Sequence, residues 1–93
     1  MEVYWLNRKI ANSDNVVSYQ GVKYFPKSSL SKELFRESPD STQCPYRGQG
    51  KYFDLIVDGQ IMPNAACVFD NPKSSESLCI KGMISFSSDL KVI

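Results

Sequence analysis

The chain has 93 residues, of which 42% are hydrophobic and 23% are charged, and 11 basic residues against 10 acidic ones leave a net charge of +1. This composition is typical of a folded globular domain and excludes a disordered chain. A charge so close to zero also argues against nucleic-acid and membrane partners. We therefore expect a single domain over residues 1–93, long enough to bury a core.

The N-terminus and the cysteines point to a cytoplasmic protein. No apolar run approaches the roughly 20 residues of a membrane-spanning helix, and the first apolar stretch is too short for a signal peptide. Cys44, Cys67 and Cys79 form no CxxC pair, and the sequence contains no histidine. A zinc site needs four nitrogen or sulfur ligands, so we expect reduced, mostly buried thiols, no metal and no cofactor.

In chain order, the first 25 residues predict four short strands separated by polar turns. Aromatic and β-branched residues dominate each of them, as suits a pleated surface, and Pro26 ends the last one. The predicted strands cover residues 3–6, 9–11, 16–19 and 22–25.

The pattern changes after Pro26. Leu30, Leu34 and Phe35 recur at helical spacing behind two serines that suit a helix N-terminus. This predicts a short helix between residues 28 and 37, which Pro39 follows and ends.

The second half of the sequence is dominated by a polar loop and a hairpin. The stretch 41–50 combines a thiol, a proline, a phenol, a guanidinium and two glycines, and clean alternation then predicts a strand over 51–57. Asp58-Gly59 is a strong hairpin signal and should join the two longest strands. Pro63-Asn64 predicts a bulge or a bend in the return strand. Shorter strands close the chain, so seven or eight strands and one short helix indicate an antiparallel sheet, barrel or sandwich.

Several of these residues together resemble a known family. They are Tyr24-Phe25-Pro26, then Thr42-x-Cys44-Pro45-Tyr46-Arg47-Gly48-x-x-x-Tyr52, then Asn71-Pro72 and Phe86. In this combination they resemble the DUF427 domain family over nearly the whole chain. One departure is Cys67, which stands where the family usually has tryptophan.

The resemblance implies a mainly β fold. It is either an antiparallel two-sheet β-tent like that of the Mss4 group or a barrel-like sandwich with one short helix. Zinc, which some Mss4-group members bind, does not carry over because this chain lacks their CxxC pairs. The family is also described as a nucleotidyltransferase domain. That chemistry relies on acidic residues that hold Mg²⁺, and the aspartates here are scattered, so the residues give it little support.

The candidate ligand-binding residues lie mostly in the polar loop, and we assign no catalytic residue. Cys44 is a nucleophile, a ligand contact or a packed thiol, and the absence of histidine removes its commonest base. The guanidinium of Arg47 offers a planar fork for a carboxylate or phosphate, unless it only pairs with a surface carboxylate. The tyrosines either stack on a planar ligand or close the core. The full set is Tyr24, Cys44, Tyr46, Arg47, Gly48 and Tyr52.

Two hypotheses about function follow. In the first, the loop forms one wall of a groove that binds a small polar or anionic molecule, with Arg47 pointing into it beside Tyr46 or Tyr52. In the second, the domain is structural or binds another protein, and the same loop is a brace. A concave pocket that holds Arg47 favours the first hypothesis, whereas a flat apolar surface favours the second.

Overall fold

The computed structural model describes residues 1–45, 47–72 and 75–93, and most of their backbone is β-structure. Three short 3₁₀ helices occur at Lys27–Ser29, Lys32–Leu34 and Ser75–Ile80. The strands are β1 (Glu2–Trp5), β2 (Arg8–Asn12), β3 (Val17–Tyr19), β4 (Val22–Tyr24), β5 (Phe35–Cys44), β6 (Gly48–Val57), β7 (Gln60–Phe69), β8 (Ile84–Phe86) and β9 (Lys91–Val92). The predicted mainly β class is confirmed. None of the described helices is long or apolar enough to cross a membrane.

The described strands form three antiparallel sheets. The largest has the order β5-β6-β7-β8, the second has the order β2-β1-β9, and β3 pairs with β4 alone. No closed barrel forms among these strands. The antiparallel class is therefore confirmed, and the Mss4-type arrangement stays a prediction.

The hairpin between β6 and β7 is a feature that the sequence predicts correctly. Both strands have 10 residues, and Val57 pairs with Gln60 across the turn. Asp58 and Gly59 have φ values of 50° and 78°. Positive φ at both central residues is the geometry of a type I′ turn, which Asp-Gly favours. The hairpin prediction is confirmed, although β5 also has 10 residues.

The predicted helix between residues 28 and 37 is wrong. The segment contains two single 3₁₀ turns, and at Phe35 the chain enters β5, where it pairs with Leu55 of β6. A few apolar residues at helical spacing also fit short turns, and long-range strand pairing overrides the local preference. Much of the predicted polar loop is consequently β-structure, because β5 runs to Cys44 and β6 begins at Gly48.

Two bulges interrupt the large sheet. In β5, the register moves from Glu37 to Ser41, and Pro39 lies between them on this edge strand, where its missing N–H is tolerated. In β7, the three residues 63–65 stand opposite the single residue Asp54 of β6, which confirms the predicted irregularity at Pro63-Asn64. Asn64 has φ 53°, and its backbone N–H donates to the buried Asp54 carboxylate at 3.0 Å. This bond compensates for the burial of the charge.

Apolar clusters cover both faces of the large sheet. Val68 belongs to the main core, whereas its neighbours Cys67 and Phe69 belong to a second cluster with Tyr24 and Ile80. This alternation follows from the two-residue period of a strand. The second cluster lies on the face where the candidate site forms.

Gly50 is required at the centre of this second face, and we predict that Gly50→Ala is destabilising. A Cβ at this position would lie 2.8 Å from side-chain atoms of Thr42, Cys67 and Phe69. Overpacking of this kind should lower the free energy of unfolding by about 2 kcal/mol in urea denaturation. Gln49→Ala, at the exposed neighbouring position, is the control and should change it by less than about 0.5 kcal/mol. Equal effects of the two substitutions would contradict this packing account.

Candidate functional site

A groove of about 310 Å³ opens on the second face of the large sheet. Four of the six predicted site residues line it, namely Tyr24, Cys44, Arg47 and Tyr52. Gly48 does not line it, but it is buried and begins β6 with φ 84°, a conformation that favours glycine. Tyr46 lies outside the described residues. The sequence therefore named four residues that line this groove, and their role in ligand binding stays a prediction.

Strand pairing brings the lining residues together. Cys44 pairs with Gly48 across the β5–β6 turn, and Tyr52 pairs with Cys67 of β7. All these positions share one face because residues two apart along a strand point the same way. Since Gly50 carries no side chain, β6 can lie close to the side chains of its neighbours at the bottom of the groove.

The opposite wall comes from β4. The backbone N–H of Phe25 donates to the carbonyl of Ile84 at 2.7 Å, and the reciprocal bond is 2.8 Å. This bridge holds the end of β4 against β8, so that Phe25 enters the main core and Tyr24 enters the groove. Tyr24 and Tyr52 thus line the groove and also pack in the second cluster, and stacking of either ring on a ligand stays a prediction.

Arg47 connects the tips of two hairpins. Its Nη2 donates to Oε1 of Gln20 at 2.8 Å, and its Cζ lies 5.6 Å from the ring centroid of Tyr19. Its Nε is buried and has no hydrogen-bond partner among the described residues. Arg47 is half-buried and lines the groove together with Tyr52, and the aromatic ring in cation–π contact with it belongs to Tyr19.

Sequence reasoning missed Tyr19 and Gln20. They end β3 and begin the turn into β4, where Gln20 and Gly21 have φ values of 50° and 78°. Two residues, the second of them a glycine, separate the predicted strands 16–19 and 22–25, and this spacing could have indicated a hairpin tip at this position. The pairing of that tip with Arg47 spans 27 residues, and no local pattern predicts such a contact.

The groove carries one positive charge and weakly acidic groups that stay neutral. Among the described residues that line it, Arg47 is the only charged one. Burial raises the pKa of Tyr24, and the nearby charge of Arg47 opposes this shift only in part. Burial likewise raises the pKa of Cys67 to about 11, again against the opposing effect of Arg47. At neutral pH the groove therefore has a net positive character.

The family follows from comparison with known proteins. A family model described as a domain of unknown function (DUF427) matches residues 1–92. The chain belongs to the DUF427 family. No curated protein gives a significant match to it.

The three cysteines of the DUF427 chain differ in exposure. Cys67 is buried, Cys44 is half-buried and Cys79 is exposed, so the expectation of mostly buried thiols is wrong. Among the residues that the structure describes, no cluster of three or more histidine, cysteine or acidic side chains is placed to hold a metal ion. The absence of zinc in the purified protein stays a prediction.

The buried thiol of Cys67 should react slowly with alkylating reagents at pH 8. Because its pKa is raised from 9.0 to about 11, Cys67 should react with iodoacetamide at pH 8 at least about 10-fold more slowly than the exposed Cys79. Peptide mass spectrometry measures both rates in one sample, and urea-unfolded protein is the control.

The same shift predicts how stability depends on pH. The folded state holds the Cys67 proton more tightly than the unfolded chain does, so this contribution to stability is complete below pH 9. It should be lost as the pH rises through about 11, and Cys67→Ala should remove that part of the pH dependence.

In the alkylation experiment, equal rates for Cys67 and Cys79 in the folded protein would show that Cys67 is not buried as described.

Proposed function

We propose that this DUF427 domain binds a small anionic molecule in the groove and that Arg47 provides the charge that recognises it. The proposal depends on one observation. The Nε of Arg47 is buried and has no hydrogen-bond partner in the described part of the chain. Buried polar groups in folded proteins are nearly always hydrogen-bonded, and an unsatisfied donor on a charged group is costly. An anion in the groove would satisfy this donor.

The size and chemistry of the groove support the proposal. A volume of about 310 Å³ is at the lower end of small-molecule sites. Its lining is mixed, with apolar surface from aromatic side chains and polar groups from Asn64, Ser85 and Ser87. Small-molecule sites combine apolar surface with a few polar groups that orient the ligand.

The proposal is restricted to binding. The groove contains two cysteines, but the chain has no histidine that could activate either of them. We therefore assign no reaction to the site.

A structural role for Arg47 is the alternative. Its bond to Gln20 and its position over Tyr19 connect the β3–β4 hairpin to the β5–β6 hairpin. In this alternative Arg47 is a brace, and the groove has no ligand. The two roles predict opposite effects of the same substitutions.

We predict that Arg47→Lys weakens ligand binding and that Arg47→Ala weakens it further. Lysine keeps the charge but loses the planar fork, and alanine loses both. Because hydrogen bonds to a charged group contribute about 1.5–3 kcal/mol, the alanine variant should bind about 10- to 100-fold more weakly. The assay is a thermal-shift screen of small carboxylates, nucleotides and sugar phosphates, followed by calorimetric titration of each hit.

Arg8→Ala is the matched control, because Arg8 is exposed on β2 and is not among the groove residues. It should leave binding unchanged. If binding is the role of Arg47, neither of its substitutions should lower the free energy of unfolding by more than about 1 kcal/mol. A large loss of stability in Arg47→Ala, with no ligand response in the wild type, would support the brace instead.

A further inference from the structure

We propose that the anionic group of the ligand is the carboxylate of an aromatic monoacid, and that Gln20 occupies part of its binding position on Arg47 in the free protein. This inference rests on the proposed function and narrows it. It concerns which anion the groove accepts and which residue competes with that anion.

The hydrogen bonds of Arg47 are the first reason to infer a carboxylate. Nε and Nη2 lie on the same edge of a guanidinium group and donate in parallel, and a carboxylate accepts both bonds with its two oxygens. Here Nη2 donates to Gln20 at 2.8 Å, and Nε has no partner among the described residues. The Gln20 amide has one acceptor oxygen, which accepts from Nη2, and its other terminal atom is a donor, so Gln20 cannot also accept from Nε with a second oxygen. A carboxylate can satisfy both halves.

The charge of the groove is the second reason, because it favours a ligand with a single negative charge. The guanidinium of Arg47 is the only charged group among the described residues that line the groove. Burial raises the pKa of the Tyr24 phenol and of the Cys67 thiol, so both stay neutral at pH 7. A monocarboxylate brings one negative charge, which Arg47 balances. A phosphate monoester brings about 1.5 to 2 negative charges at pH 7, so part of its charge would be desolvated without a partner.

The walls of the groove indicate the body of the ligand. Tyr52 and Phe86 line it while partly exposed, and the nearly buried Tyr24, Ala65 and Ala66 line it from beneath the surface. Aromatic rings favour stacked or edge-to-face contacts with another ring. A planar aromatic acid can place its ring among these side chains while its carboxylate reaches Arg47.

Gln20 is well placed to yield to such a ligand. It is exposed and lies at the tip of the β3–β4 turn, so its side chain can leave Arg47 without disturbing the core. Its bond to Arg47 joins a neutral acceptor to a cation. A bond between two charged groups is stronger, so a carboxylate should displace the amide.

The test is calorimetric titration of the full chain with benzoate, benzamide and phenyl phosphate. We expect benzoate to bind, benzamide to bind at least about 10-fold more weakly because it lacks the charge, and phenyl phosphate to bind more weakly than benzoate. Gln20→Glu places a carboxylate of the same shape beside Arg47 and should weaken benzoate binding at least about 10-fold. Gln20→Ala removes the competing acceptor and should strengthen it. Gln60→Glu makes the same charge change at the exposed start of β7 and should leave it unchanged.

The outcomes separate this inference from the proposed function. If phenyl phosphate binds as tightly as benzoate, the carboxylate assignment is overturned, while the proposed anion site remains. If Gln20→Glu keeps its wild-type melting temperature and binds benzoate as tightly as the wild type does, the competition by Gln20 is overturned. If none of the anions binds, and the wider screen also gives no hit, both the inference and the proposed function fail.

Discussion

The pairing of β6 along both of its edges is the constraint on which the rest of the structure depends. It places β5 on one side and β7 on the other, so that Tyr52 lies beside Cys67 and Gly50 lies beside Phe69. Side chains of the three strands thereby meet on one face and form the floor of the groove. Because Gly50 has no room for a Cβ, this arrangement depends on the absence of a side chain at the centre of the strand.

The Arg47 contacts add a link between elements that the sheet does not join. The β5–β6 and β3–β4 hairpins belong to different sheets, and at their tips the guanidinium of Arg47 donates to Gln20 and makes a cation–π contact with Tyr19. A guanidinium suits this position because it can contact an aromatic ring and still donate hydrogen bonds from its edge. The same geometry leaves the buried Nε without a partner in the described part of the chain, and the proposed ligand site depends on this observation.

Local patterns predicted a large part of the fold and one wall of the site. The alternation after Lys51 and the Asp58-Gly59 turn are short-range signals, and both predictions are confirmed. The segment 28–37 was predicted wrongly because its helical spacing is brief, and its strand partner in β6 lies about twenty residues further on. Gln20 was missed for the same physical reason. The packing of the sheets brings it to Arg47, and no local sequence pattern predicts this contact.

The central claim is that the Nε of Arg47 receives an anion in the groove, and NMR spectroscopy of arginine Nε–H groups tests it most directly. The chain has three arginines, so the Nε–H signal of Arg47 can be assigned by its loss in Arg47→Lys. On addition of benzoate, this signal should move and exchange more slowly with water, while those of Arg8 and Arg36 stay in place. Binding of benzoate that leaves the Arg47 signal unchanged would contradict the claim.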